Sequence, residues 1–133
     1  MPANFIDSNV ILYFASRDPA KADRAEELMR EGGIVSVQVL NEIANVGRKK
    51  LKLSWDELDE VIRLVRFLLD VVPLVAETHD RGLAIARRYG LAVYDSMVVA
   101  AALRAGCENL WSEDMQDGLV VEAALTIRNP FLA

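Results

Sequence analysis

Short apolar runs alternate along the chain with longer amphipathic stretches, and that alternation predicts the elements. Asn4-Phe5-Ile6 reads as a strand ending at Asp7, and Ser8 or Asn9 can then cap a helix through Val10-Ile11-Leu12-Tyr13-Phe14. Pro19 in a first turn opens a second helix to about Glu31, which Gly32-Gly33 ends. Ile34-Val35 is a second strand, and Ser36 caps a helix from Val37 to about Lys50. Along that helix Gln38, Asn41, Glu42, Asn45, Arg48 and Lys49 share a polar stripe, while Val37, Leu40, Ile43, Ala44 and Val46 supply its core face. Ser54, with Glu57 three residues on, forms a capping box for an amphipathic helix to about Leu69. Residues 71–75 predict a third strand, placed at a sheet edge because Pro73 lacks an N–H. Residues 78–89 and 95–105 predict helices stopped by Gly90 and Gly106, residues 109–111 a fourth strand, and residues 125–127 a last one.

Strands alternating with helices imply an α/β sandwich with a mostly parallel sheet, and 133 residues suit one domain over residues 1–133. A content of 53% hydrophobic and 26% charged residues excludes a disordered chain. The longest apolar run, Met97 to Leu103, is far short of the roughly twenty residues that span a bilayer. No Lys or Arg precedes Arg17 and Asp7 interrupts the first apolar stretch, so a cytoplasmic protein without a secretory signal is expected. A single cysteine, Cys107, excludes an internal disulfide and a cysteine zinc cage, and a single histidine, His79, excludes two-imidazole nuclease chemistry. Gly-rich dinucleotide and phosphate-binding loops are absent.

Carboxylate is what remains plentiful. The net charge is −5, yet residues 1–53 carry eight bases against seven acids and residues 54–133 seven against thirteen. That balance argues against bulk electrostatic binding of nucleic acid, but not against a basic strip beside an acidic site. Ligands of such a fold gather beyond the carboxyl ends of the strands. Asp7 follows the first strand, Asp114 the fourth, and Asp117 lies one turn further; Asp95 starts a helix and Glu42 sits inside one. Taken singly, each has an ordinary explanation: a turn residue, an exposed acidic loop, a helix cap, a solvated stripe. Together within about 4 Å, each pair would repel by roughly 4 kcal/mol at an effective dielectric near 20, so convergence calls for protonation or a divalent ion. An all-oxygen donor set without His or Cys selects Mg²⁺ or Mn²⁺ over zinc.

Four segments carry a resemblance: Phe5-Ile6-Asp7-Ser8-Asn9-Val10, Ser36-Val37-Gln38-Val39-Leu40-Asn41-Glu42, Tyr94-Asp95-Ser96, and Trp111-Ser112-Glu113-Asp114-Met115-Gln116-Asp117-Gly118. In this order and spacing the chain resembles PIN domains, in particular the VapC-type toxins of toxin–antitoxin pairs. The resemblance implies a three-layer sandwich around a sheet of about five strands, and a metal-dependent endoribonuclease with an antitoxin partner, an RNA substrate and a homodimeric state. It places the family's four acids on Asp7, Glu42, Asp95 and Asp114, and its small hydroxyl residues on Ser36 and Ser112. The expected roles follow: Asp7, Asp95 and Asp114 as metal ligands, with Glu42 and Asp117 as further candidates, and Ser8, Asn9, Ser36 and Ser112 in support. Arg48, Lys49, Lys50 and Lys52 are expected to track an RNA backbone. The alternative is an inactive interaction module of the same fold. A phospho-receiver and an aspartyl phosphatase fit less well, since Asp7 has no acidic neighbour and Asp7-Ser8-Asn9 is not D-x-D.

Overall fold

The computed structural model describes residues 3–132. Its elements are β1 (Asn4–Ile6), α1 (Ser8–Leu12), a 3₁₀ turn (Tyr13–Ala15), α2 (Pro19–Arg30), β2 (Ile34–Ser36), α3 (Val37–Lys49), α4 (Trp55–Leu68), β3 (Asp70–Val72), α5 (Ala76–Tyr89), α6 (Val93–Arg104), β4 (Asn109–Trp111), β5 (Val120–Val121) and β6 (Leu125–Arg128). The sheet runs in the order β3-β2-β1-β4-β6-β5, parallel except for β5, which pairs antiparallel with β6. This is the expected mixed α/β sandwich with a mostly parallel sheet, now of six strands rather than about five. The added strand, β5, closes a hairpin with β6 at the edge opposite β3. Among the described residues no helix is long and apolar enough to cross a membrane.

The strands are short because both sheet faces are covered and each needs only a few apolar residues. Phe5, Ile6, Val35, Leu110, Leu125 and Ile127 are buried under the helices, with Val10, Ile11, Leu28, Val39, Ile43, Ile85 and the run Val98 to Ala102 packed against them. The apolar face of α4 serves the same core through Leu58 and Val65, which leaves Phe67, 83% exposed, as its outward aromatic. Cys107 is buried, and burial pushes its thiol up to about 11, as befits an inert small hydrophobe.

Several helix ends differ from the sequence reading. The cap of α1 is Asp7 itself, whose Oδ1 accepts from Ser8 N at 2.8 Å, rather than Ser8 or Asn9. Helix α6 starts at Val93 with Ala92 as its cap, so Asp95 sits in the first turn, not before it. In α3 Val39, Ile43 and Gly47 are buried and Leu40 and Ala44 pack against the core as expected, while Val37 is 36% exposed and Gln38, expected on the polar stripe, is buried. Trp55 is 64% exposed, with the Arg48 guanidinium 4.1 Å from its ring centre.

Candidate active site

The chain builds β1, moves outward to β2 and β3, then returns to lay β4 and β6 on the other flank of β1. That reversal places a crevice at the carboxyl ends of β1 and β4, where open α/β sheets bind ligands. Register does the fine positioning. Ile6 stands opposite Trp111, so the next residues, Asp7 and Ser112, meet, and Ser112 Oγ donates to Asp7 Oδ2 at 2.9 Å. Phe5 stands opposite Ile34, and two residues further that register sets Asp7 level with Ser36, the residue that opens α3. Ser36 Oγ accepts from Val39 N at 3.3 Å, fixing the start of the helix that carries Glu42.

Asp7 is buried at 4% exposure and has three donors. Besides Ser8 N and Ser112 Oγ, Asn9 Nδ2 donates to Oδ2 at 3.3 Å. Asn9 also donates to Ser112 Oγ at 3.2 Å and accepts from Glu113 N at 3.1 Å, so one amide ties α1 to the loop after β4. Burial raises the Asp7 carboxyl to about 6; the bonds from Ser112 and Ser8 oppose this, and the charges of Asp95 and Asp114 add to it. Glu42 is raised to about 7, first by burial and then by Asp7, with the Gln38 amide opposing and Asp95 adding. Asp95 is raised by burial and by Asp114. These shared fields link Asp7, Glu42, Asp95 and Asp114, drawn from four separate segments, into one electrostatic unit.

Gln38 explains how Asp95 arrives. Its Nε2 donates to the Tyr94 carbonyl at 3.0 Å and pins the start of α6 against α3. No local pattern marks this contact, because a glutamine among Asn41, Asn45 and Arg48 looks like one more solvated residue. Asp117 follows a different course: its Oδ1 accepts from Asn129 N at 2.7 Å, closing a loop, and its charge is not among those that raise the carboxyls of Asp7, Glu42 and Asp95. The basic cluster also divides. Arg48 Nη1 donates to Leu53 O at 2.8 Å and stacks on Trp55, which occupies it in the turn between α3 and α4, while Lys49, Lys50 and Lys52 are exposed. Lys50, with Ser8, Asn9, Glu42 and Asp114, lines a cleft of about 350 Å³.

The fit to a divalent ion rests on these groups. Among the described residues, no three acidic, histidine or cysteine side chains stand close enough as placed to grip one ion directly. A hydrated hard cation does not require that grip, since Mg²⁺ keeps several waters and takes only one or two carboxylates. The donor set is all oxygen. Glu42 Oε1 is buried without a hydrogen-bond partner, as is the Oγ of Ser96 beside Asp95 in the chain. A buried acceptor left unpaired in an acidic site suits a metal-bound water or a proton.

The sequence model of the PIN domain family matches residues 5–116, and the chain belongs to that family. Solved structures share the fold. A toxin–antitoxin complex from Klebsiella pneumoniae is similar at a TM-score of 0.70 and 17% identity, over 97% of this chain and 98% of that one. The DNA-bound VapBC of Salmonella typhimurium is similar at 0.67 and 17%, over 98% and 99%. VapC20 of Mycobacterium tuberculosis, described as a toxin that cleaves the sarcin–ricin loop, is similar at 0.63 and 14%, over 84% and 90%. No curated protein is a significant match in sequence.

Proposed function

We propose that residues 1–133 form one PIN-like domain, a Mg²⁺- or Mn²⁺-dependent endoribonuclease that hydrolyses RNA phosphodiester bonds as the cytoplasmic toxin of a type II toxin–antitoxin pair. The observation that carries this reading is that burial and neighbouring charges raise the carboxyls of Asp7, Glu42 and Asp95, with Asp7 and Asp95 acting on Glu42, Asp95 and Asp114 on Asp7, and Asp114 on Asp95. Asp7, Asp95 and Asp114 hold the ion, directly or through its waters. Bound there, the ion supplies a hydroxide nucleophile near neutral pH and charge stabilisation for the displaced phosphate oxygens. Glu42, half-buried with one oxygen unpaired, orients the attacking water and takes its proton. Ser112 and Asn9 fix the Asp7 carboxylate through their hydrogen bonds, Ser8 through its backbone N–H, and Ser36 fixes the helix behind Glu42. Asp117 is assigned to loop closure instead of metal binding. Lys49, Lys50 and Lys52 meet RNA phosphates, while Arg48 shapes the turn that presents them.

An intracellular nuclease needs restraint, and two of the similar structures are toxin–antitoxin assemblies, which supports an antitoxin partner. The exposed Phe67 on α4 offers such a partner an aromatic anchor. Exposed Leu74, Val75, Val93 and Tyr94 border a second cleft and supply apolar area for a homodimer. The test incubates purified, partner-free protein with single-stranded RNA and Mg²⁺ or Mn²⁺, with a chelator control. Cleavage by wild type and its loss in Asp7→Asn and Asp95→Asn are expected. Equal cleavage by all three would trace the activity to a contaminant, and absence of both cleavage and Mn²⁺ binding would leave the inactive interaction module.

A further inference from the structure

The cleft beside the four acids has walls that metal chemistry does not explain. Leu12 of α1, Val46 of α3 and Leu51 after it are apolar, and Glu113 joins them from the loop after β4. The volume of about 350 Å³ falls low in the range of about 300–1,000 Å³ for small-ligand sites. Glu113 differs in kind from the neighbouring acids. Its Oε1 accepts from the Tyr13 hydroxyl at 2.6 Å and its Oε2 from Lys21 Nζ at 2.7 Å. Lys21 also reaches the Tyr13 hydroxyl at 3.3 Å and lies 4.6 Å from the Tyr13 ring centre and 5.1 Å from that of Phe131. The two aromatic rings meet edge to face, 4.9 Å apart. This cluster fixes the Glu113 carboxylate and balances its charge.

Fixed in this way, Glu113 still has something to offer. Two partners fill about half of the four acceptor positions of a carboxylate, and the side chain remains 24% exposed. Two other polar groups lining the cleft are engaged: Asn9 bridges Asp7, Ser112 and Glu113 N, and Ser16 Oγ donates to Tyr13 O at 2.7 Å. The cleft therefore presents apolar surface and an immobilised acceptor that has no proton to give, next to Glu42 and Asp114.

We propose that this cleft is a nucleobase subsite for the nucleotide adjoining the scissile phosphate, and that Glu113 selects an amino-bearing base over uracil. The inference rests on the nuclease reading above. Apolar side chains cover the faces of the base, Lys50 meets a neighbouring phosphate, and Glu113 accepts from the exocyclic amino group of cytosine, adenine or guanine. Uracil presents a single N–H flanked by two carbonyl oxygens, whose lone pairs face the carboxylate unfavourably. Glu113 is thus a specificity residue, and Tyr13 and Lys21 are positioning residues that hold it.

Fluorescence anisotropy with labelled oligocytidylate and oligouridylate of equal length, in EDTA so that neither is cut, tests the subsite on the whole protein. Cytidylate should bind about ten-fold tighter, the discrimination expected of a good polar base contact. Glu113→Gln should bring the ratio towards one, and Leu51→Trp, which fills the cleft, should weaken both oligomers. Equal affinities in the wild type, or binding of neither oligomer, would overturn the inference without any variant. An unchanged ratio in a Glu113→Gln protein that melts like wild type would do the same, as would unaltered binding by Leu51→Trp. RNA hydrolysis without base preference removes this subsite and leaves the nuclease; preference without hydrolysis removes the nuclease and leaves an RNA-binding cleft.

Discussion

Ser36 and Ser112 look alike in the sequence, each a hydroxyl closing a short strand, yet they serve Asp7 differently. Ser112 Oγ donates to the Asp7 carboxylate itself, whereas Ser36 Oγ accepts from Val39 N and holds only a helix start. Substituting Ser36 by Ala should cost about 1 kcal/mol as a lost helix cap, with Mn²⁺ affinity nearly intact. Substituting Ser112 by Ala removes a direct partner of the proposed ligand and should lower Mn²⁺ affinity roughly 10–100-fold. Calorimetric titration of the two variants separates the roles, and equal losses of affinity would show that the distinction is wrong. Asp7, Asp95 and Asp114 were legible as candidates because each follows a strand or opens a helix, whereas Glu42, inside a helix, was marked only by the family resemblance. Their supports were not, since Asp7 and Ser112 are 105 positions apart and meet only through the β1–β4 register. The Tyr13–Lys21–Glu113 cluster was hidden for the same reason.

Packing between α5 and α6 sets where Asp95 stands. At Gly82 of α5 an added Cβ would lie 2.5 Å from Met97 Sδ and 3.4 Å from Met97 Cα. The thioether end can turn aside for one methyl, and Ala gains helix propensity, so Gly82→Ala should be close to neutral. Gly82→Leu has no such escape and should cost about 1–3 kcal/mol by overpacking. It should also weaken Mn²⁺ binding, because Met97 lies two residues from Asp95 on the same helix. Adding Met97→Ala should recover part of both losses; denaturant melts that show simple additivity would refute the coupling. Elements with a strong local signal, such as the Ser54–Glu57 capping box and the Gly90 stop at φ 69°, were legible in the sequence. Two helix starts were misplaced inward because Thr78 and Asp95 occupy the third position of their helices, where an oxygen side chain resembles a cap. Strand β5 escaped notice since it has two residues and its hairpin turns through Glu122 and Ala123 at positive φ, without the Gly or Asn that marks such turns.

Gathering carboxylates at one end of the sheet has a cost that the whole molecule bears. Asp7 and Glu42 move from 3.8 and 4.5 to about 6 and about 7 on folding. Between these limits the folded chain keeps protons that the unfolded chain has released, so the metal-free protein loses stability as pH rises from about 4 to about 7. For buried Asp7 the shift corresponds to something of order 2–3 kcal/mol; half-exposed Glu42 adds less, because solvent screens it. The lowered acids Glu57 and Glu113 act in the opposite sense, but their contribution is lost only below about 4.5, outside that window. The metal-free protein should therefore melt several degrees higher at pH 5 than at pH 8. Asp7→Asn should raise the melting temperature at pH 8, change it little at pH 5, and so flatten the profile. Mn²⁺ should stabilise the wild type more at pH 8 than at pH 5, because protons compete for the same oxygens, and should leave Asp7→Asn nearly unmoved. Scanning calorimetry at the two pH values, with and without Mn²⁺, reads all of these differences. A wild type that melts lower at pH 5, or that gains equally from Mn²⁺ at both, would mean that the four acids do not share one field and that the folded chain does not hold them in wait for a cation.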